Sequence, residues 1–304
     1  MRHWQQLSIE DRLDVIEITS AKKHLPQLAV EKDWWVTMVL KALSNSRHFR
    51  LMSFKGGTSL SKCHQVIKRF SEDIDVTIDM SLSQGQKKKV KEVIVEIVET
   101  MGLKITNLAE TRRRRDYNRY VIAYESALPE NGIVVQPAVL VETSYTAVAF
   151  PTVLLPVSNY IGKMMEIEAP EFVQVYGLAP FEMKVQGLDR TLVDKVFAVC
   201  DYYLQDKVKK HSRHIYDIYK LLPLVPQDEE YHKLVQEVRK DSPVCPSARD
   251  NVDIPALLRK IIKETVYRAD YRNLTEGLLE EKISYEIAIQ ALESIVEGKM
   301  FENE

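Results

Sequence analysis

The chain has 304 residues, with 42 Lys and Arg against 44 Asp and Glu, a formal net charge of -2. Hydrophobic residues at 45% and charged residues at 28% exclude wholesale disorder, and the near-neutral balance taken alone argues against a broadly basic nucleic-acid binder. No apolar run approaches the ~18 residues of a membrane span, the amino terminus MRHWQQLSIEDR lacks a signal-peptide core, and Cys63, Cys200 and Cys245 are too scattered for a disulfide framework, so a cytoplasmic protein without membrane segments is expected.

Helices are predicted first. Ser8 caps a segment over Arg12–Ile18 with acids in its first turn. After Pro26, Leu28–Leu43 places Ala29, Trp34, Trp35, Met38, Val39 and Ala42 at helical spacing, with the tryptophan pair read as core. Leu51–Phe54 is a short strand halted by Gly56 and Gly57, and Thr58–Val66 a short helix. Asp73–Ile78 alternates strictly: Ile74, Val76 and Ile78 share one face, Asp73, Asp75 and Thr77 the other, the pattern of a half-buried strand. Lys87–Met101 is an amphipathic helix closed by Gly102. The chain is then strand-rich to about residue 186, with strands over Lys104–Asn107, Tyr120–Tyr124, Ile133–Thr143 and Phe172–Val175 and a serine-capped helix over Ser158–Ile167. Helices follow over Leu188–Leu204, His211–Leu222, Glu229–Arg239, Ile254–Tyr267 and Ile283–Val296. This order predicts an α/β (α+β) domain with a mixed sheet over residues 1–185 and a helical domain over 186–304. The best linker candidate, Asp241–Asp250, is polar and holds two prolines but lies inside the helical half.

The chemistry concentrates in Phe54-Lys-Gly-Gly-Thr-Ser-Leu60 and Arg69-Phe-Ser-Glu-Asp-Ile-Asp-Val-Thr-Ile78. Gly56 and Gly57 let the backbone approach a ligand closely, the following amides offer donors to phosphate, and Thr58 and Ser59 add hydroxyls. Asp73 and Asp75 project from one strand face about 7 Å apart at the backbone. Like charges so placed suit a hard cation such as Mg²⁺ with a phosphate completing its shell; the alternative is a solvated polar face. A phosphate turn beside a carboxylate pair is what nucleotidyl transfer requires.

FKGGTSLSK followed by RFSEDIDVTI resembles the GG…DxD signature of polymerase-β-type nucleotidyltransferases, and in detail the AbiEii-type nucleotidyltransferase toxins of bacterial abortive-infection and toxin–antitoxin systems. Glu31-Lys-Asp-Trp-Trp-Val36 resembles that family's upstream EKDWWV helix, Leu192-Val-Asp-Lys195 its later lysine helix, and Arg213-His-Ile-Tyr-Asp217 its R-D-x-x-D segment, with His214 where the family often has Asp. The resemblance runs from residue 31 to about 222, leaving the last eighty or so residues unmatched. It implies a polymerase-β-like domain, Mg²⁺ on Asp73 and Asp75, an NTP substrate, an RNA acceptor such as tRNA, and a cognate antitoxin. It places Lys62 and Arg213 with the nucleotide, and Lys195 and Asp217 in catalysis.

The residues have readings of their own. Lys195 shares a stripe with Leu188, Leu192 and Val199, so it snorkels or reaches a buried anion. Arg213 and Asp217 are spaced as a surface ion pair. Glu142, inside an apolar strand, is either a strand-edge acid facing solvent or, as the resemblance to polymerase-β-like sites implies, a third carboxylate that binds metal or acts as general base. Arg112, Arg113, Arg114 and Arg115 form a run between two strands that is either a solvated loop or a contact for RNA phosphates, and Lys207–Arg213 is a second basic stretch. Residues 104–119 hold six bases and two acids, whereas Glu276–Glu304 holds eight acids and two bases, so near-neutrality is a cancellation between regions. Two rival readings stay open: transfer to a protein or small molecule, and a non-catalytic binding protein with this fold.

Overall fold

The computed structural model describes residues 4–78, 82–111, 117–128, 137–145, 151–242 and 245–302. The chain divides into two compact units: Met1–His64, Ser71–Val148 and Val153–Val185 form the first, and Gln65–Phe70, Ala149–Thr152 and Gln186–Glu304 the second.

The first unit is built on a mixed sheet. Helices α1 (Ile9–Lys23) and α2 (Gln27–Ser44) lead to β1 (Met52–Lys55) and α3 (Gly56–Lys62), then β2 (Asp73–Ile78), α4 (Gln84–Thr100), β3 (Lys104–Ile105), α5 (Leu108–Thr111), β4 (Tyr117–Ala123), β5 (Ala138–Ser144), β6 (Thr152–Val157), α6 (Tyr160–Glu168), α7 (Pro170–Val175) and β7 (Phe181–Gln186). The seven strands run in the order β3-β4-β5-β2-β1-β7-β6. Central β2 pairs antiparallel with β1 and parallel with β5, so its two faces are set by both neighbours. Ile74, Val76 and Ile78 lie on the buried face, with Val139 and Val141 of β5 and Tyr120 and Ile122 of β4. They pack into one core with Trp34, Trp35 and Leu40 of α2 and Val90, Ile94 and Val98 of α4. Each such side chain contributes roughly 1.5–3 kcal/mol by leaving water, which fixes the register and turns the alternate residues, Asp73 and Asp75 among them, to the opposite face.

Local chemistry explains most element ends. Ser8 caps α1 by accepting from the Asp11 amide, and Ser83 and Gln86 close a reciprocal capping box that starts α4 three residues before its apolar stripe suggests. Not every expectation holds. Phe172–Val175 is helix, because Pro170 at the first position of α7 pre-sets a helical φ and outweighs the β-branched content of the run. The cap of α6 is Asn159, whose side chain accepts from the Gly162 amide, in place of the expected serine. Strands β6 and β7 are not foreseen, since edge strand β6 leaves Val153 and Leu154 exposed and shows no alternation.

In the second unit, α8 (Leu188–Leu204) is the central helix, followed by α9 (Arg213–Leu221), α10 (Glu229–Asp241), α11 (Ile254–Glu264), α12 (Arg268–Asp270), α13 (Tyr285–Ala288) and α14 (Gln290–Gly298). Its core joins Val193, Val196, Phe197 and Cys200 of α8 to Ile215 and Ile218 of α9, Leu258 and Ile261 of α11, and Leu292 of α14. The linker candidate is no linker: Ser247 is buried, and its amide donates to Asp201 of α8 at 2.7 Å. Among the described residues, no helix is long and apolar enough to cross a membrane.

Candidate active site

Strand register assembles the polar face of the sheet. Lys55 of β1 lies opposite Asp75 of β2, Asp75 opposite Glu142 of β5, and Glu142 opposite Arg119 of β4, a charged row across four strands. Glu142 lies 3.6 Å from the Arg119 guanidinium. The Tyr117 phenol bonds to Glu142 and lies within the field of Asp75. Burial first, and then the Glu142 carboxylate, push that phenol well above its ordinary range, so it stays protonated. Tyr117 and Arg119 carry no motif of their own in the sequence; the strand register is what makes them neighbours of Glu142.

The glycine turn lies against this row. Gly56 holds φ +78°, a left-handed conformation that favours glycine, and a Cβ added there would come within 2.0 Å of Asp75 Oδ2. Backbone and carboxylate therefore touch at a position no other residue type can occupy without displacing one of them. Gly57 enters α3 behind it. The side chains of Thr58 and Ser59 face inward: Thr58 Oγ1 shares a hydrogen bond of 2.9 Å with Ser71 Oγ, and Ser59 Oγ donates to the Gly56 carbonyl at 2.9 Å. They brace the turn, which leaves first-turn amides as the donors a phosphate would meet. Lys62 is buried too, its ammonium on the Asp33 carboxylate and on Thr37 Oγ1 at 2.8 Å.

Asp73 and Asp75 offer hard oxygen ligands on one face of β2, beside backbone that a phosphate can approach, and this donor set fits Mg²⁺ with substrate oxygens completing its shell. Among the described residues, no group of three or more His, Cys, Asp and Glu is arranged to hold a metal. Glu142, although in register with Asp75, is engaged by Arg119 and Tyr117.

The second unit gathers Lys195, Asp217 and Arg69 within itself. Asp217 is fully buried and accepts from Arg69 Nε at 2.7 Å and Nη2 at 2.8 Å, while Lys195 Nζ lies 2.9 Å from its Oδ2. Burial alone would raise the Asp217 pKa, but Arg69 and Lys195 reverse that and hold the carboxyl well below its usual range. The i,i+4 spacing thus misleads: Asp217 belongs to a buried network, not to a surface pair. For Lys195 the buried anion that the sequence allowed is this carboxylate. His214 Nδ1 lies 3.3 Å from Lys195 Nζ. Burial first, then Lys195, keep its imidazole neutral far below the ordinary histidine range. Arg213 opens α9, and its charge is felt by both Lys195 and His214. Arg69 stands in the quoted RFSEDID motif, yet its partner 148 residues on leaves no local signal. Arg112–Arg115 lie outside the described residues. A basic cluster the sequence reading passed over is Lys87, Lys88, Lys89 and Lys91 on α4, where Lys91 Nζ donates to the Thr111 carbonyl at 3.5 Å.

Residues 39–297 match the family model described as nucleotidyl transferase AbiEii toxin, type IV toxin–antitoxin system. No curated protein matches. Among solved structures the chain is similar to MenT4, a nucleotidyltransferase toxin from Mycobacterium tuberculosis H37Rv, with a TM-score of 0.52 and 17% identity, covering 94% of this chain and 88% of that one. That likeness is one of fold.

Proposed function

The chain belongs to the AbiEii family of nucleotidyl transferase toxins of type IV toxin–antitoxin systems, and we propose that it is a Mg²⁺-dependent enzyme moving nucleotides from an NTP to an RNA acceptor such as tRNA. The observation that carries this reading is the contact between the Gly56 backbone and the Asp75 carboxylate, which brings a phosphate-ready turn against a metal-ready acid.

In this reading Asp73 and Asp75 hold the cation, which when bound supplies charge neutralisation at the triphosphate. Gly56 and Gly57 admit the phosphates to the backbone, with the first amides of α3 as donors. An acceptor hydroxyl oxygen bonds to the α-phosphorus as the bond to pyrophosphate breaks in line, and Glu142 is the candidate to take the hydroxyl proton. Lys195, held by Asp217, is the cation proposed to balance the leaving pyrophosphate, with Arg213 beside it on the nucleotide. The RNA acceptor is supported by the α4 lysines together with the Arg112–Arg115 run in the sequence. The family implies an antitoxin as partner.

The test is incubation of the protein with labelled NTPs, Mg²⁺ and total RNA, with Asp75→Ala as control. Label in tRNA from the intact protein alone supports the proposal. Label in protein, or none, refutes the RNA acceptor.

A further inference from the structure

The EKDWWV helix has no part in the chemistry above, yet it carries three consecutive charged residues that are all buried: Glu31 at 4%, Lys32 at 6% and Asp33 at 7% exposure. Successive helical residues point roughly 100° apart, so the three reach different elements. Glu31 accepts from Ser126 Oγ and from the Ala127 amide, both at 2.6 Å, just beyond β4. Lys32 pairs with Glu72, the residue before Asp73. Asp33 binds Lys62 at the end of α3 and accepts from the Tyr160 amide at 2.9 Å, where α6 begins.

Two of these contacts close a ring. From Lys32 the path runs to Glu72, along the chain to Ser71, across the 2.9 Å hydroxyl contact to Thr58, along α3 to Lys62, and back to Asp33. The glycine turn opens the α3 arc of the ring, and Asp73 follows directly from its Glu72 corner. We infer that Glu31-Lys32-Asp33 is a positioning clamp: through the Lys32–Glu72 and Asp33–Lys62 pairs it fixes the glycine turn and the Asp73–Asp75 strand at the separation nucleotidyl transfer needs. The inference rests on the reading of the site given above. Buried ion pairs such as Asp33–Lys62 are a poor means to stability, since apolar replacements of similar size are often as stable or more so, and Lys32–Glu72 is buried only at its lysine end. Their value here is geometric, because misplacement of reacting groups by about 1 Å can cost 10²-fold in rate.

The test compares wild type with Lys32→Met/Glu72→Gln, Lys32→Arg and Ser71→Ala for NTP turnover and thermal melting. The paired variant should melt close to wild type while kcat falls about 10- to 100-fold and the KM for NTP holds. Lys32→Arg should keep most of the rate, and Ser71→Ala, the mildest break in the ring, should lower kcat in the same sense. A paired variant that folds and turns over within twofold of wild type overturns the clamp, as does one whose loss only tracks its unfolded fraction. If the paired variant does not fold, Ser71→Ala decides alone: full kcat overturns the clamp. Wild-type protein that transfers to no acceptor overturns the reading of the site instead.

Discussion

At the scale of single residues, Asp217 and Asp75 are both acids in matched motifs, but their surroundings set them apart. Asp217 neutralises two buried cations, so Asp217→Asn leaves Arg69 and Lys195 uncompensated and should destabilise the protein by about 3–5 kcal/mol, read by denaturant unfolding. Asp75 is half-buried on the polar face of β2, and Asp75→Asn should abolish transfer while leaving the unfolding midpoint nearly unchanged. His214 gives a pH prediction. Its folded pKa is depressed, so below the unfolded value of about 6.5 the unfolded chain takes up a proton that the folded chain refuses. Stability from this group is therefore fully present above that pH and falls as pH drops below it, by up to about 1.4 kcal/mol per pH unit. His211, also depressed by burial, adds to the same slope. Melting followed from pH 7 to 5.5 should show the decline, and His214→Gln should flatten it.

At the scale of elements, the β1–α3 turn is the most constrained piece of the site. Gly56→Ala sets a methyl group within 2.0 Å of Asp75 Oδ2 at a φ of +78°. It should cost more activity than Gly102→Ala, which also has positive φ but meets nothing within 4 Å; turnover per folded molecule checks the difference. Strand β2 and helix α8 are legible in the sequence with their observed limits, because strict alternation in one and a 3.6-residue stripe in the other leave a single solution. Elements whose evidence is tertiary were not legible. The exposed edge strand β6 carries no alternation, and α7 depends on where one proline falls. The DxD pair and glycine turn are local and readable, whereas Arg69–Asp217, Lys32–Glu72 and Asp33–Lys62 join residues 148, 40 and 29 positions apart, distances at which no spacing rule operates. The resemblance places Lys62 with the nucleotide; in the fold its ammonium lies on Asp33, a contact that no local pattern announces.

At the scale of the whole molecule, the net charge of -2 conceals opposing regions, and any RNA contact must be local. Replacing Lys87, Lys88, Lys89 and Lys91 by glutamine should weaken RNA binding uniformly across sequences and shallow its salt dependence by up to about 0.7 per lysine in the log–log slope. Replacing the exposed pair Lys88 and Lys89 alone should leave the melting temperature close to wild type. The central claim, that the Gly56 turn and the Asp73–Asp75 strand form a metal-dependent transfer site, is tested most directly by titrating Mg²⁺ against the rate of labelled-nucleotide incorporation into RNA for wild type and Asp75→Asn. A saturable rise with wild type and no incorporation with Asp75→Asn at any Mg²⁺ concentration is the predicted result. Equal incorporation by the two proteins, or incorporation by wild type that persists in excess EDTA, would contradict it.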